Sequence, residues 1–206
     1  MIIAVDGPTA SGKGTIARAL AEHFSLPHLD TGLLYRAVGR QCFLDGGDPD
    51  DGGDALAACS FPDSLLGDPE LRSEATGGYA SRVSVHPAVR AALYQRQRKF
   101  ATQPGGAVLD GRDIGTVIAP EAEVKLFVVA SVPARAERRF REMQAQGRGV
   151  SLAEIAAELE TRDARDRGRA AAPLIAAPDA VLLDTSDLSP GAAIAAAIRL
   201  AEARGG

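Results

Sequence analysis

The sequence has few residues that could cross-link the chain or bind a metal ion. Only two cysteines occur, Cys42 and Cys59, without CxxC spacing, and the three histidines, His23, His28 and His86, have no metal-ligand spacing. We therefore predict no structural metal site. The cysteine usage, with no signal peptide before the first predicted strand, favours a cytoplasmic location. The longest apolar runs fall well short of the roughly 20 residues that span a bilayer, so we expect no membrane association.

Lysine is also scarce, and acidic residues outnumber basic ones. The 23 basic residues include only three lysines, Lys13, Lys99 and Lys125, and 27 acidic residues give a net charge of −4. This balance argues against binding to nucleic acid or to anionic membranes. An anionic ligand must therefore meet a local cationic site, built mainly from arginine, whose planar fork suits phosphate oxygens.

Short buried apolar runs alternate with helical patterns, which predicts an α/β fold with a parallel sheet. A chain of 206 residues is the size of one domain. The predicted strands lie at 2–5, 108–109, 124–129 and 180–183. Helices are predicted at 13–24, 87–100 and 133–146, after a Ser151–Glu154 capping box, and from 189 to 203.

The segment 45–78 differs from the rest of the chain. Nine acidic residues accompany a single basic one, Arg72, and the segment lacks the apolar alternation of a stable hairpin. We predict an insertion outside the main sheet that is mostly helical or irregular.

A glycine-rich turn joins the first predicted strand to the first predicted helix. Residues 7–15 read GPTASGKGT, which matches G-x-x-x-x-G-K in the strand-turn-helix context that a phosphate-binding loop needs. Lys13 can reach the β- and γ-phosphates of a nucleotide, and Thr15 takes the place of the usual hydroxyl beside Mg²⁺ because Gly14 follows the lysine. The predicted ATP-binding residues are Gly7, Pro8, Thr9, Ala10, Ser11, Gly12, Lys13, Gly14 and Thr15.

Three further segments carry arginine: DTGLLYR at 30–36, DGRDIGT at 110–116 and RDARDRGR at 162–169. The sequence has no N-K-x-D guanine motif, which disfavours a switch GTPase. Each segment could place cations at the carboxyl edge of the sheet, where open α/β folds bind ligands.

Each of these segments also has a purely structural interpretation. Asp30 and Thr31 can cap a helix that leaves Arg36 in solvent, and the arginine run near residue 165 can be a solvated helix face. The dipeptide at 110–111 can be an ordinary turn. For Asp110 we favour function, because an acidic residue that ends a second buried strand is what Mg²⁺ coordination beside a phosphate loop requires.

The spacing of the third segment argues against solvent exposure. An apolar helical stripe continues in register as a charged stripe if the helix is unbroken. Buried arginines need anionic partners, and bound phosphates would supply them. The members of the stripe are Ile155, Leu159, Arg162, Asp166 and Arg169.

Together these segments resemble the nucleoside monophosphate kinases, and within them the bacterial cytidylate kinases. The stretch SRVSVHPAVRAAL and the AAPL that follows RDARDRGR extend the resemblance over nearly the whole chain. It implies a three-layer P-loop kinase fold, with a five-stranded parallel sheet flanked by helices. The implied single domain has its core at 1–44, 81–147 and 174–206, a monophosphate-binding insert at about 45–80 and an arginine-rich lid at about 148–173.

The resemblance also implies site residues. CMP would be held through its phosphate by Arg36, Arg112 and Arg169, around cytosine by Thr31, Ser81, Arg90 and Asp113, and at the ribose by Arg162 and Asp166. The transferring phosphoryl group would be stabilised by Lys13, Arg112, Arg162, Arg165 and Arg169. Mg²⁺ would enter with ATP, beside Thr15 and Asp110.

The implied reaction moves the γ-phosphoryl group of ATP to CMP or dCMP, in a monomer. A kinase for another small acceptor, such as UMP, AMP or shikimate, is one alternative. A nucleotide-binding regulatory module without turnover is another.

Overall fold

The order of strands and helices follows the predicted alternation. A computed structural model describes residues 1–145, 147 and 149–205. The strands are β1 (Ile2–Asp6), β2 (His28–Asp30), β3 (Ala107–Gly111), β4 (Val124–Val129) and β5 (Val181–Asp184). The helices are α1 (Lys13–His23), α2 (Thr31–Leu44), α3 (Gly52–Ala57), α4 (Glu74–Val83), α5 (Pro87–Ala101), α6 (Val132–Ala145), α7 (Leu152–Arg167) and α8 (Pro190–Gly205).

The five strands form one parallel sheet in the order β2-β3-β1-β4-β5. β1 lies at the centre, where Ile3 is opposite Val108 of β3 and Val124 of β4. At the end of β1, Asp6 is opposite Gly111. The loops after β1, β3 and β4 therefore leave the sheet at the same edge, and the predicted five-stranded parallel sheet flanked by helices is confirmed.

Burial on both faces explains why β1 is an unbroken apolar run. Ile3 and Val5 are inaccessible to solvent and share a core cluster with Ile16 and Leu20 of α1. The alanines of α8 that join this cluster, Ala193, Ala197 and Ala201, are small enough to let that helix pack closely. The central strand and the start of α1 are thus held rigidly by the apolar core.

The chain forms two compact units. The first comprises Met1–Leu29 and Ala101–Gly206, and the second comprises Asp30–Phe100. The predicted bounds of core, insert and lid remain a prediction. No helix in the described ranges is both long and apolar enough to cross a membrane.

In the second unit, the segment predicted to lie outside the sheet is helical. Its elements are α3, α4 and the 3-10 helices Ala58–Ser60, Asp63–Gly67 and Pro69–Arg72. Asp51 caps α3 by accepting from the amides of residues 53 and 54, and Ser73 caps α4. Residues 45–80, all of them described, contain no strand. The predicted helical or irregular insert is confirmed.

In the first unit, α7 is unbroken from Leu152 to Arg167 and begins with the predicted capping box of Ser151 and Glu154. Ile155, Leu159, Arg162 and Asp166 are all buried, so the charged stripe continues the apolar one into the interior. Arg169, the last member of the predicted stripe, lies two residues beyond the end of α7, which has Gly168 as its C-cap. α6 begins one residue before its predicted start; Gln146, at its predicted end, lies outside the described residues.

The sequence did not predict two elements of the fold. β2 has only three residues, too few for an apolar run to mark it. A π-helical turn, Ile114–Ile118, directly follows the DGRD segment. Both lie next to residues of the candidate site.

Candidate active site

The glycine-rich turn leaves β1 under close steric limits. A Cβ atom at Gly7 would lie 2.1 Å from the carbonyl oxygen of Val128 on β4, so no side chain fits there. Gly12, with φ of 88°, stands at the N-cap of α1 in the left-handed region that glycine favours. The turn therefore brings the first amides of α1 together at the sheet edge, where they can bind an anion.

Lys13 and Thr15 lie in the first turn of α1. Lys13 is half-buried, and its Nζ donates to the carbonyl oxygen of Pro8 at 3.2 Å, so the side chain folds back along the loop. Thr15 is exposed. The lysine and the N-terminus of the helix together form a cationic end to the loop.

Asp110, the penultimate residue of β3, is buried beside this loop. Its Oδ1 is 2.8 Å from Nε2 of His28, and its Oδ2 lies 3.6 Å from the position of a Cβ atom at Gly14. The structure thus brings this predicted metal-side carboxylate to the first turn of α1, close to Thr15 in sequence.

A second carboxylate, Asp6, was not predicted to belong to the site. It ends β1 and accepts hydrogen bonds from the amides of Ile114 and Gly115, both at 2.8 Å. Burial raises the pKa of Asp6 to about 7, although the two amides act in the opposite direction. The only sequence indication was an acidic residue at the end of a buried strand, the same pattern that identified Asp110. Asp6 fixes the π-helical turn that follows Asp113.

Arg112 and Asp166 form an ion pair within the first unit. Nε of Arg112 donates to Oδ2 of Asp166 at 2.8 Å, and Nη2 donates to the hydroxyl of Thr9 in the loop at 2.6 Å. Burial opposes the charge on Arg112, but the Asp166 carboxylate holds its pKa above the ordinary value. Burial opposes the charge on Asp166 as well, which raises its pKa, but the charges of Arg112 and then Arg169 more than offset this, so that the pKa of Asp166 is lowered.

Two further arginines of the third segment, Arg162 and Arg169, lie near the same carboxylate. Arg169 donates to Oδ1 of Asp166, and Arg162, one turn before Asp166, is 8 % exposed. Arg165 is half-buried. Asp113, at 4 % exposure, precedes the π-helical turn, and its carbonyl accepts from the amides of residues 117 and 118. The first unit therefore contains the loop, the aspartates Asp6, Asp110, Asp113 and Asp166, and several arginines.

The other predicted CMP residues belong to the second unit. Thr31 is buried at the start of α2, where Asp30 is the N-cap residue without a capping hydrogen bond from its side chain. Arg36 is not a solvated helix residue, because its Nη1 donates to the carbonyls of Leu71 and Ser73 at 2.7 and 3.0 Å. The contacts of Arg36 tie α2 to the insert.

Ser81 and Arg90 complete this set in the second unit. Ser81 is buried on α4. On α5, Nη1 of Arg90 donates to the carbonyl of Ser84 at 3.3 Å, and the guanidinium lies 5.5 Å from the centre of the Tyr35 ring. Arg90 is therefore held beside the helix that carries Thr31 and Arg36.

The parallel sheet, the phosphate-binding loop and the inward-facing arginines define a P-loop phosphotransferase. A model of the family described as cytidylate kinase matches residues 3–60 and 62–203. The chain belongs to the cytidylate kinase family.

Individual relatives agree over nearly the full length of the chain. It is 55 % identical to a cytidylate kinase of Caulobacter sp. (strain K31) over 202 residues, which cover 98 % of this chain and 94 % of the relative. It is 54 % identical to that of Xanthobacter autotrophicus, with coverage of 99 % and 98 %. It is 57 % identical to that of Cereibacter sphaeroides (strain ATCC 17023), with coverage of 98 % and 95 %.

Proposed function

We propose that this protein transfers the γ-phosphoryl group of ATP to CMP or dCMP, giving CDP or dCDP and ADP. The observation that carries the proposal is the phosphate-binding loop joined by Arg112 to the charged stripe of α7, in a chain that matches cytidylate kinases over nearly its whole length. This arrangement offers several cations and backbone amides to phosphates. It suits phosphoryl transfer, in which positioning and electrostatic stabilisation dominate.

ATP would bind at the loop of residues 7–15. The backbone amides and the N-terminus of α1 would hold the β-phosphate, and Lys13 would leave the Pro8 carbonyl to reach the β- and γ-phosphates. The positive φ values at Ala10 and Gly12 support this assignment, since they curl the backbone around one point.

Mg²⁺ would bind with ATP next to Thr15 and Asp110. The described residues contain no group of three or more His, Cys, Asp or Glu side chains arranged to hold a metal ion. One buried carboxylate and one exposed hydroxyl nevertheless fit Mg²⁺, which takes most of its ligands from phosphates and water in such sites. The ion would neutralise charge on the phosphates, and His28 would orient the Asp110 carboxylate toward it.

CMP would contact the residues that the resemblance implies. Asp113 would accept from the exocyclic amine of cytosine, a donor that uracil lacks, and Arg162 with Asp166 would contact the ribose hydroxyls. The other assignments are Arg36, Arg112 and Arg169 at the phosphate, and Thr31, Ser81 and Arg90 around cytosine. Their support is the resemblance, together with the burial or fixed contacts of each residue.

The transfer needs no general base, because the acceptor phosphate is already ionised at neutral pH. Lys13, Arg112, Arg162, Arg165 and Arg169 would stabilise the charge that develops on the moving phosphoryl group. Closure of the lid over the nucleotide would exclude the water that hydrolyses ATP. We further propose that the protein acts as a cytoplasmic monomer on free nucleotides.

A coupled assay of ADP release, run with CMP, dCMP, UMP, AMP and GMP as acceptors, tests the function. We expect turnover with CMP and dCMP far above the others. Preference for another acceptor would support the alternative kinases. A protein that gains thermal stability from ATP but releases no ADP with any acceptor would be a binding module instead.

A further inference from the structure

A second buried arginine, Arg135 of α6, contacts the phosphate-binding loop. It is 2 % exposed, and its donors reach three different elements. Nε donates to the carbonyl of Ala130 after β4 at 3.0 Å, and Nη1 donates to the carbonyl of Thr9 at 3.0 Å. Nη1 and Nη2 also donate to the two carboxylate oxygens of Asp163 on α7, at 3.1 and 2.6 Å.

The hydrogen bond from Arg135 to the Thr9 carbonyl fixes the orientation of one peptide of the phosphate-binding loop. A trans peptide is planar, so the carbonyl of Thr9 and the N–H of Ala10 point in opposite directions. Because the Thr9 carbonyl points toward the buried Arg135, the Ala10 N–H must point away from it.

Ala10 itself adopts a backbone conformation that alanine avoids. Its φ is 62°, in the left-handed region, which is unfavourable for a non-glycine residue and persists only where the surroundings impose it. Its methyl group packs against the apolar cluster of α6 and α7 that includes Ala136 and Ile155. Two neighbours therefore impose this peptide orientation: the apolar cluster and Arg135.

We propose that Arg135 is a positioning residue that orients the Thr9–Ala10 peptide, so that the Ala10 N–H is aimed at a phosphate of the bound nucleotide. Asp163 neutralises Arg135 and fixes the direction of its guanidinium. The proposal rests on the proposed function only in taking ATP as the ligand of the loop.

A different role for the pair is to hold α7 in place, since Asp163 lies between Arg162 and Asp166 on that helix. The two roles predict different losses. A change in the orientation of the peptide would weaken the binding of ATP and ADP. A displaced α7 would instead weaken the binding of CMP, which Arg162 and Asp166 are proposed to contact. Affinities for ADP and for CMP, measured separately by calorimetry, distinguish them without any turnover.

The main variant replaces both partners, Arg135→Met with Asp163→Leu, so that no buried charge is left without its partner. We expect a folded protein whose Kd for ADP and KM for ATP rise about tenfold, while the Kd for CMP stays within about twofold. Arg135→Lys, which keeps the charge beside Asp163 but loses the forked reach to Thr9, should show the same loss on ADP alone.

The matched control is Lys125→Met. Lys125 is likewise a buried cation of the first unit, bonded to a backbone carbonyl at Pro120 and to the carboxylate of Asp179 at 2.7 Å. It makes no described hydrogen bond to the phosphate-binding loop. We expect it to lower the melting temperature and to leave the affinity for ADP unchanged.

Adding Ala10→Gly tests the backbone part of the proposal. Glycine adopts the left-handed conformation without the cost that alanine pays, so it should restore ADP affinity by at least about threefold in the Arg135→Met, Asp163→Leu protein and in Arg135→Lys. In the otherwise wild-type chain it should not improve affinity.

Two results would overturn the proposal: ADP affinity within about twofold of wild type in a folded Arg135→Lys protein, or equal losses for ADP and CMP. If the double variant does not fold, the ADP affinities of Arg135→Lys with and without Ala10→Gly test the proposal in the same way. A wild-type protein that binds ADP but does not phosphorylate CMP would refute the proposed function alone.

Discussion

Asp166 holds Arg112 through a hydrogen bond of 2.8 Å, at a distance of 54 residues in sequence. The same arginine donates to Thr9, so the last turn of α7 is bonded to the phosphate-binding loop. Because both Arg112 and Asp166 are proposed to contact CMP, substrate must add to this pair or replace part of it. Variants of either residue should therefore change both binding and turnover.

For Asp166 we expect a loss that depends on the sugar. If its carboxylate accepts from the ribose 2′-hydroxyl, Asp166→Ala should lower kcat/KM more for CMP than for dCMP. The ratio of kcat/KM for CMP to that for dCMP should then fall by about tenfold. The pair of acceptors serves as its own control, since the loss of Arg112 positioning affects both equally. Equal losses on CMP and dCMP would exclude the 2′-hydroxyl contact.

Asp113 is predicted to select cytosine over uracil. Its replacement by alanine removes a buried acceptor, which should cost CMP about 2 to 3 kcal/mol in transition-state binding and UMP much less. The ratio of kcat/KM for CMP to that for UMP should therefore narrow by at least tenfold. An unchanged ratio of the two kcat/KM values would show that a group other than Asp113 accepts the hydrogen bond from the cytosine amine.

Lys13→Ala should abolish most phosphoryl transfer without unfolding the protein. The side chain is only half-buried and its Nζ donates to the Pro8 carbonyl of the loop, outside the apolar core. We expect kcat to fall by at least about a hundredfold with a melting temperature near that of wild type. Turnover within tenfold of wild type would contradict the assignment.

Asp6 should make stability depend on pH near neutrality. Burial raises its pKa in the folded protein to about 7 from 3.8, so the folded protein binds the proton more tightly than the unfolded chain does. Its contribution is therefore most favourable below about pH 4, declines as the pH rises toward 7, and is constant above that. Relative to Asp6→Asn, which does not titrate, the free energy of unfolding of wild type should fall by about 2 to 3 kcal/mol between about pH 5 and pH 8. Denaturant titrations of both proteins measure this, and a difference that does not vary with pH would refute it.

The insert should become ordered when CMP binds. Few large apolar side chains hold residues 48–78, and Arg36, a proposed phosphate ligand, donates to the carbonyls of Leu71 and Ser73 there. Amides in this segment should exchange rapidly in the free protein and slowly with CMP. Arg36→Met should remove this protection. High protection without ligand would contradict the prediction.

The sequence revealed the features that are local in the chain. A strand, a glycine-rich turn and Lys13 are consecutive, so the phosphate-binding loop could be recognised, and the register of α7 followed from its periodicity. The role of Asp6 depends on β1 and β3 being neighbours in the sheet, which no local pattern encodes. Arg135 stands among exposed and half-buried charges on α6, and only the tertiary structure shows that it faces Asp163.

The scarcity of lysine, together with the burial of Lys125 against Asp179, simplifies chemical labelling of this protein. Lys99 is exposed and Lys13 is half-buried in the phosphate-binding loop. An acylating reagent used under mild conditions therefore meets two lysine ε-amines besides the amino terminus. Acylation of Lys13 that ATP blocks, while that of Lys99 continues, would report occupancy of the loop in the unaltered protein, with Lys99 as the internal reference.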